Sequence, residues 1–136
     1  QIDYHRLQGS KSLDRWGVLG ARACGGGLTG MKIDINRRCF AVANKTGGLS
    51  GPAIKPVAVR MVYQVAQAVK LPIIGMGGIQ TAEDALEFIM AGATAVSVGT
   101  ANFIDPTTTV KVIEGIEAYM KKYNVEDINE LIGCVK

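Results

Sequence analysis

Histidine is nearly missing from this chain, which narrows its chemistry from the start: His5 is the only one. It lies in unpatterned sequence, where a surface or tag-like placement fits better than general-base duty. Cysteine is scarce too. Cys24, Cys39 and Cys134 are odd in number and lack CxxC spacing, which argues against a disulfide framework and against a zinc site, so no metal is expected. No run of about 18 uninterrupted apolar residues occurs, and Gln1 to Arg6 lacks the apolar core of a secretory signal. A soluble protein of the reducing cytoplasm, without a membrane role, is the expectation. The net charge of +3 is concentrated in a basic first third, while the rest is mildly acidic. The basic residues are scattered and no nucleic-acid-binding module accompanies them, so solvated surface charge is the reading and nucleic acid is not expected.

What is present is glycine and small aliphatic side chains. Hydrophobic residues make up 48% and aromatic residues only 6% of the 136 positions, with 17 glycines, a composition that suits the Ala/Val/Ile/Gly-rich layers of an α/β fold. Two unlike parts meet near residue 28. Gln1 to Gly27 shows no sustained periodicity and is left without an assigned element. Residues 28–136 read as alternating strands and helices, the order a parallel sheet requires.

After the loop Thr46-Gly47-Gly48-Leu49-Ser50-Gly51, a helix is expected from about Ile54 to Val69, with Ala58, Val62, Val65 and Val69 at helical spacing and Pro56 near the first turn. Pro72 to Met76 reads as a short buried strand leaving through Gly77-Gly78. Thr81 is a good N-cap, and Glu83 and Asp84 place negative charge at the positive end of a helix that presents Ala85, Leu86, Ile89 and Met90 on one face. Ala93 to Val98 makes a second buried strand ending at Gly99-Thr100-Ala101. Asp105-Pro106 then opens a third helix with an apolar stripe of Val110, Ile113, Ile116 and Met120, and a last short helix is expected from Val125 to Leu131. This order gives two crossover units, of a barrel or of an open sheet.

Phosphate recognition needs several N–H donors aimed at one point, and glycine permits that close approach. Three glycine loops qualify: Gly47 to Gly51, Gly77-Gly78 and Gly99-Thr100. The last two are one βα unit apart, so neighbouring parallel strands about 4.8 Å apart would place them side by side. In (β/α)8 barrels a phosphate site often follows the last two strands, which suits their position here. Lys55 and Arg60 are candidates to approach a phosphate, with helix-surface roles equally open. Ser50 has no His–Asp pattern that would make it a nucleophile. Tyr63, Phe88 and Tyr119 lie in helical sequence, where packing accounts for them.

The stretch Asn44-Lys45-Thr46-Gly47-Gly48-Leu49-Ser50-Gly51-Pro52-Ala53-Ile54-Lys55-Pro56 resembles the class 1 dihydroorotate dehydrogenases, particularly their NAD-linked (1B) bacterial branch. The likeness continues through Ile74 to Ile79 and Val96 to Phe103, covering about residues 28 to 136. It implies an α/β fold, the C-terminal portion of a (β/α)8 TIM barrel, and an FMN-dependent oxidoreductase that converts dihydroorotate to orotate in pyrimidine biosynthesis. Gly51, Gly77, Gly78, Gly99 and Thr100 match the family's FMN contacts. The resemblance also implies a second subunit carrying FAD and an iron–sulfur cluster for electron transfer.

Departures from the family pattern bear on activity. Where the family has a strand ending in Asn-Thr, whose asparagine helps hold the substrate, Gly26-Gly27 stands here. The family's catalytic cysteine belongs to the first half of the barrel, and neither Cys24 nor Cys39 matches its position. A complete barrel needs about 250 residues, so roughly half is expected to be absent and the isolated chain to be inactive or nearly so. No catalytic residue is assigned. An open half-barrel exposes a sheet edge and apolar surface, so a homo-oligomer is expected. Two other functions fit the glycine loops: a non-redox barrel enzyme holding a sugar phosphate, and a non-catalytic half-barrel assembly fragment.

Overall fold

The computed structural model describes residues 17–20 and 28–135. In chain order its strands are β1 (Gly17–Gly20), β2 (Thr29–Gly30), β3 (Ile33–Asp34), β4 (Cys39–Phe40), β5 (Gly47–Gly48), β6 (Ile73–Met76) and β7 (Ala95–Ser97). The α-helices are α1 (Lys55–Ala68), α2 (Ala82–Met90), α3 (Ala101–Ile104) and α4 (Thr108–Tyr123), and two 3₁₀ turns occupy Pro52–Ile54 and Ile128–Leu131. The frame is α/β: a parallel sheet in the order β1-β6-β7, with Gly17 opposite Ile73 and Ile74 opposite Ala95. Two small antiparallel pairs, β2 with β5 and β3 with β4, form the excursion between β1 and α1.

The apolar spacing read in the sequence explains the packing. Ala58, Val62 and Val65 of α1 recur on one face and meet Ile73 of β6, Ala85 and Phe88 of α2, and Val112 of α4 in one core. Phe88 is fully buried, and burying a side chain of this size stabilises by about 1.5–3 kcal/mol. Its ring lies over Gly75, the middle of β6, where an added β-carbon would come within 2.7 Å of Phe88 Cδ1. Glycine is what lets this ring sit flat on the strand. A smaller cluster joins Leu86 and Ile89 of α2 to Leu131 beyond α4.

Thr81 caps α2 as expected. Its hydroxyl accepts from the Asp84 amide, and Asp84 in return accepts from the Thr81 amide, a closed capping box. At α4 the start lies slightly later than the sequence suggests: Thr107 is the N-cap, and the Asp105 carboxylate holds the Thr107 amide at 2.9 Å. The Lys111 ammonium and these Thr107 groups hold the Asp105 carboxyl well below the usual carboxylate range. The helix ends at Asn124, whose left-handed backbone (φ 53°) stops the ladder.

Three expectations are corrected, and a segment left open gains an element. Gln1 to Gly27, left without an assigned element, contributes β1, because a four-residue strand such as Gly-Val-Leu-Gly is too short to show periodicity and takes its stability from pairing with β6. The second parallel strand is shorter than Ala93 to Val98 and is not buried: Ala95 and Ser97 are exposed, since β7 has a described neighbour on one side only. The stripe on α4 is partly turned: Val110 and Ile113 are each 54% exposed and Thr108 and Val112 are the buried residues, while Ile116 packs against the core as expected. The last helix is a single 3₁₀ turn at Ile128–Leu131, started by the Asp127 cap rather than at Val125. Among the described residues no helix is long and apolar enough to cross a membrane.

Candidate functional site

The three glycine loops converge. A cavity of about 450 Å³ opens at the carboxyl ends of β6 and β7 and is walled by the Gly48 to Pro52 loop, the Met76 to Gln80 loop and the Ser97 to Ala101 loop. All five candidate positions, Gly51, Gly77, Gly78, Gly99 and Thr100, line it. Each is placed by a short chain of local causes. β5 is clamped by β2, and the Leu49 amide donates to the Leu28 carbonyl at 2.8 Å, which fixes the first loop. The ends of β6 and β7, in parallel register, carry the other two.

The backbone at the junction is specialised. Gly51, Gly77 and Gly78 all have positive φ (86°, 123° and 77°), a region costly for other L-residues. At Gly78 a β-carbon would lie 2.7 Å from the Gly51 carbonyl oxygen and 3.0 Å from Lys55 Cβ. The first and second loops therefore touch backbone to backbone. Gly99 differs: a β-carbon there would meet no heavy atom within 4 Å among the described residues, so the space over it is open. Among the described residues, the amides of Gly51, Gly78, Gly99 and Thr100 donate to no protein acceptor. A cradle of glycines with uncommitted amides has the chemistry that a phosphate requires.

Among the described residues no charged side chain lines the cavity; the polar side chains that do are Ser50, Gln80, Ser97 and Thr100. Gln80 and Ser97 were not singled out by sequence reasoning, although each neighbours a glycine loop. Lys55 does not point its charge into the cavity. Its ammonium donates to Asp84 Oδ1 at 2.7 Å and to Glu87 Oε1 at 2.8 Å. These bonds raise the Lys55 pKa above its ordinary value. Burial pushes the Asp84 carboxyl up, but the bonds from Lys55 and from the Gln80 and Thr81 amides outweigh it and leave the group below the usual range. Arg60 bonds Gln64 on the helix surface, as the surface alternative had it, whereas Lys55 is half-buried and tied to α2.

Phe88 is core and Tyr119 lies against Tyr123 with tilted rings, centroids 4.5 Å apart, as packing groups, whereas Tyr63 is exposed and the packing expectation does not hold for it. Cys39 and Cys134 are exposed free thiols that do not line the cavity. His5, Cys24 and the Gly26-Gly27 pair lie outside the described residues. Among the described residues no group of three His, Cys, Asp or Glu side chains could hold a metal ion.

Parallel strands with glycine turns at their carboxyl ends and a ligand-sized cleft over them define an α/β crossover protein whose site lies at the sheet's carboxyl edge. Within that class the chain belongs to the dihydroorotate dehydrogenase family, whose family model matches residues 14–120. The match begins inside the segment that sequence patterning left unassigned, ahead of β1. The chain is 80% identical over 109 residues to the catalytic subunit of dihydroorotate dehydrogenase B (NAD(+)) from Lachnoclostridium phytofermentans, covering 80% of this chain and 36% of that one. It is 67% identical over 106 residues to the subunit of the same name from Alkaliphilus oremlandii, covering 78% and 35%. It thus spans about a third of the length of these curated relatives. Among solved structures, that of the Eimeria tenella enzyme in complex with ferulenol matches with a TM-score of 0.65 at 25% identity, over 86% of this chain and 30% of that one.

Proposed function

We propose that this chain carries the FMN-phosphate grip of an NAD-linked dihydroorotate dehydrogenase, the C-terminal portion of its (β/α)8 barrel, in an enzyme oxidising dihydroorotate to orotate. The observation that carries the proposal is the convergence of Gly51, Gly77, Gly78, Gly99 and Thr100 on one cavity, with the amides of Gly51, Gly78, Gly99 and Thr100 uncommitted among the described residues. The names of the relatives, which are catalytic subunits, support the same reading. So does the donor set: neutral backbone groups and hydroxyls on an apolar floor suit a phosphate with a flat ring system attached.

In this reading the amides of Gly78, Gly99 and Thr100 hold the phosphate, with Gly51 and Gly77 allowing the loops to close on it. FMN, when bound, supplies the hydride acceptor. The chain's own residues anchor and orient that group and shield its phosphate end from water. They do not take the substrate's proton, because no acid or base lines the cavity among the described residues. The isolated chain therefore binds FMN and turns over little or no dihydroorotate.

The reading includes company. Phe103, Ile104, Val110 and Ile113 are exposed, the first two at 92% and 76%, and among the described residues β7 pairs on one side only. Such a face supports assembly with another copy or with further barrel strands, and the words "catalytic subunit" in the relatives' names support a partner subunit. That this partner is an electron-transfer subunit carrying FAD and an iron–sulfur cluster is what the family resemblance implies. A cytoplasmic setting accords with this chemistry. The deciding experiment titrates the purified chain with FMN and follows flavin fluorescence and absorbance. Saturable binding is the expected result; no binding at high micromolar FMN together with tight sugar-phosphate binding would reject the flavin assignment in favour of a non-redox barrel.

A further inference from the structure

One carboxylate joins two walls of the cavity. Asp84 Oδ2 accepts the Gln80 and Thr81 amides at 2.9 and 3.0 Å, pinning the exit loop of β6 that contains Gly77 and Gly78. Asp84 Oδ1 accepts the Lys55 ammonium at 2.7 Å. Lys55 opens α1 directly after the Pro52–Ile54 turn, so it is four residues from Gly51. Its side chain is 23% exposed and that of Asp84 15%, which shelters the contact from full solvent screening. Glu87 adds a second, more exposed anchor on Lys55.

The contact sits behind loops whose spacing is already tight, the Gly51 carbonyl lying against Gly78. Among the described residues the cavity has no cation of its own, so an anion held by them depends on where the backbone amides point. Small displacements of such donors are costly, since hydrogen-bond strength falls quickly with misalignment.

We propose that Lys55 and Asp84 are positioning residues that hold the Gly51 and Gly77-Gly78 loops in register for a phosphate monoester, without touching it. The proposal rests on the phosphate-grip reading of the cavity. It assigns Lys55 a role distinct from direct charge neutralisation: its charge is committed to Asp84 and Glu87, and it acts on the ligand through the loops.

The test compares FMN with riboflavin, which has the same ring system and no phosphate, and adds inorganic phosphate followed by NMR shifts of the glycine amides, all with the full 136-residue chain. Lys55→Met is expected to weaken FMN and inorganic phosphate about tenfold while leaving riboflavin unchanged, and Lys55→Arg to restore binding, because a guanidinium can still bridge both carboxylates. Equal loss of FMN and riboflavin, or no loss of either, overturns the proposal. If Lys55→Met does not fold, Asp84→Asn decides, since an amide keeps an acceptor for the Gln80 and Thr81 amides and loses only the tie to Lys55; the same phosphate-selective loss is expected, and failure of this variant to fold as well makes the pair a structural prop and overturns the proposal. A parent chain that binds inorganic phosphate but not FMN rejects the flavin reading alone, and the phosphate arm then decides the role of Lys55. A parent that binds neither overturns both.

Discussion

The carbonyl oxygen of Gly51 lies 2.7 Å from where a β-carbon on Gly78 would stand. Two loops separated by a whole helix and strand thus leave no room for a methyl group between them. Gly78→Ala is expected to cost about 1–2 kcal/mol for the left-handed backbone alone, with a further loss from the clash, and to weaken FMN binding at least tenfold. Denaturant melts and flavin-fluorescence titration read the two effects separately.

Gly99→Ala provides the contrast. Its β-carbon would meet no protein atom, and Gly99 is not among the glycines with positive φ, so stability should change by less than about 0.5 kcal/mol. FMN affinity should nevertheless fall, because Gly99 lines the cavity and its amide is one of the proposed phosphate donors, which an added methyl group would crowd. Unchanged affinity in this variant would remove Gly99 from the ligand contacts.

Gly75 and Phe88 form a second interlocked pair, this one in the core. Gly75→Ala drives a methyl into the ring and is expected to destabilise by about 1–3 kcal/mol, while Phe88→Ala leaves a cavity worth about 3–5 kcal/mol. Urea midpoints of the two variants check this, and a neutral Gly75→Ala would mean that α2 slides freely over β6.

The Lys55–Asp84 contact gives stability a defined pH window. The Asp84 pKa is lowered on folding, so its contribution is present above the ordinary aspartate range and is lost as pH falls through the lowered value. The Lys55 pKa is raised, so its contribution is present at neutral pH and is lost as pH rises through the raised value. Between those limits Lys55→Met should cost about 1 kcal/mol, shrinking at both extremes. Urea melts of parent and variant across pH would show a constant difference if the contact contributes nothing.

Ile113 is 54% exposed on the outer side of α4. Ile113→Lys should leave the stability of a single chain within about 0.5 kcal/mol and should reduce self-association measured by sedimentation. A parent chain that sediments as a monodisperse monomer would contradict the assembly reading.

How far the sequence could be read follows from how local each cause is. Thr81 and Asp84 are three residues apart and build their capping box from that spacing, so the start of α2 was legible in advance. The glycine loops were legible for the same reason, and the five positions chosen from them share one cavity. β1 was not, because Gly17–Gly20 becomes a strand only by lying beside β6, more than fifty positions along the chain. The turned stripe of α4 fails similarly: Val110 and Ile113 have helical spacing, but Val112 faces α2, and periodicity alone does not say which neighbour a helix will meet. The destination of Lys55 was also hidden, since Asp84 and Glu87 reach it only once α1 and α2 are packed.

The register of β6 against β7 has a consequence for how such a grip travels between genes. Its walls come from neighbouring βα units with nothing interposed, so every candidate contact from Gly51 to Thr100 is encoded in one uninterrupted stretch. A recombination event that copied this stretch would transplant the glycine loops of the proposed anion cradle together with the Lys55–Asp84 tie between α1 and α2. Loops elsewhere on the recipient sheet would then be free to supply a different reaction.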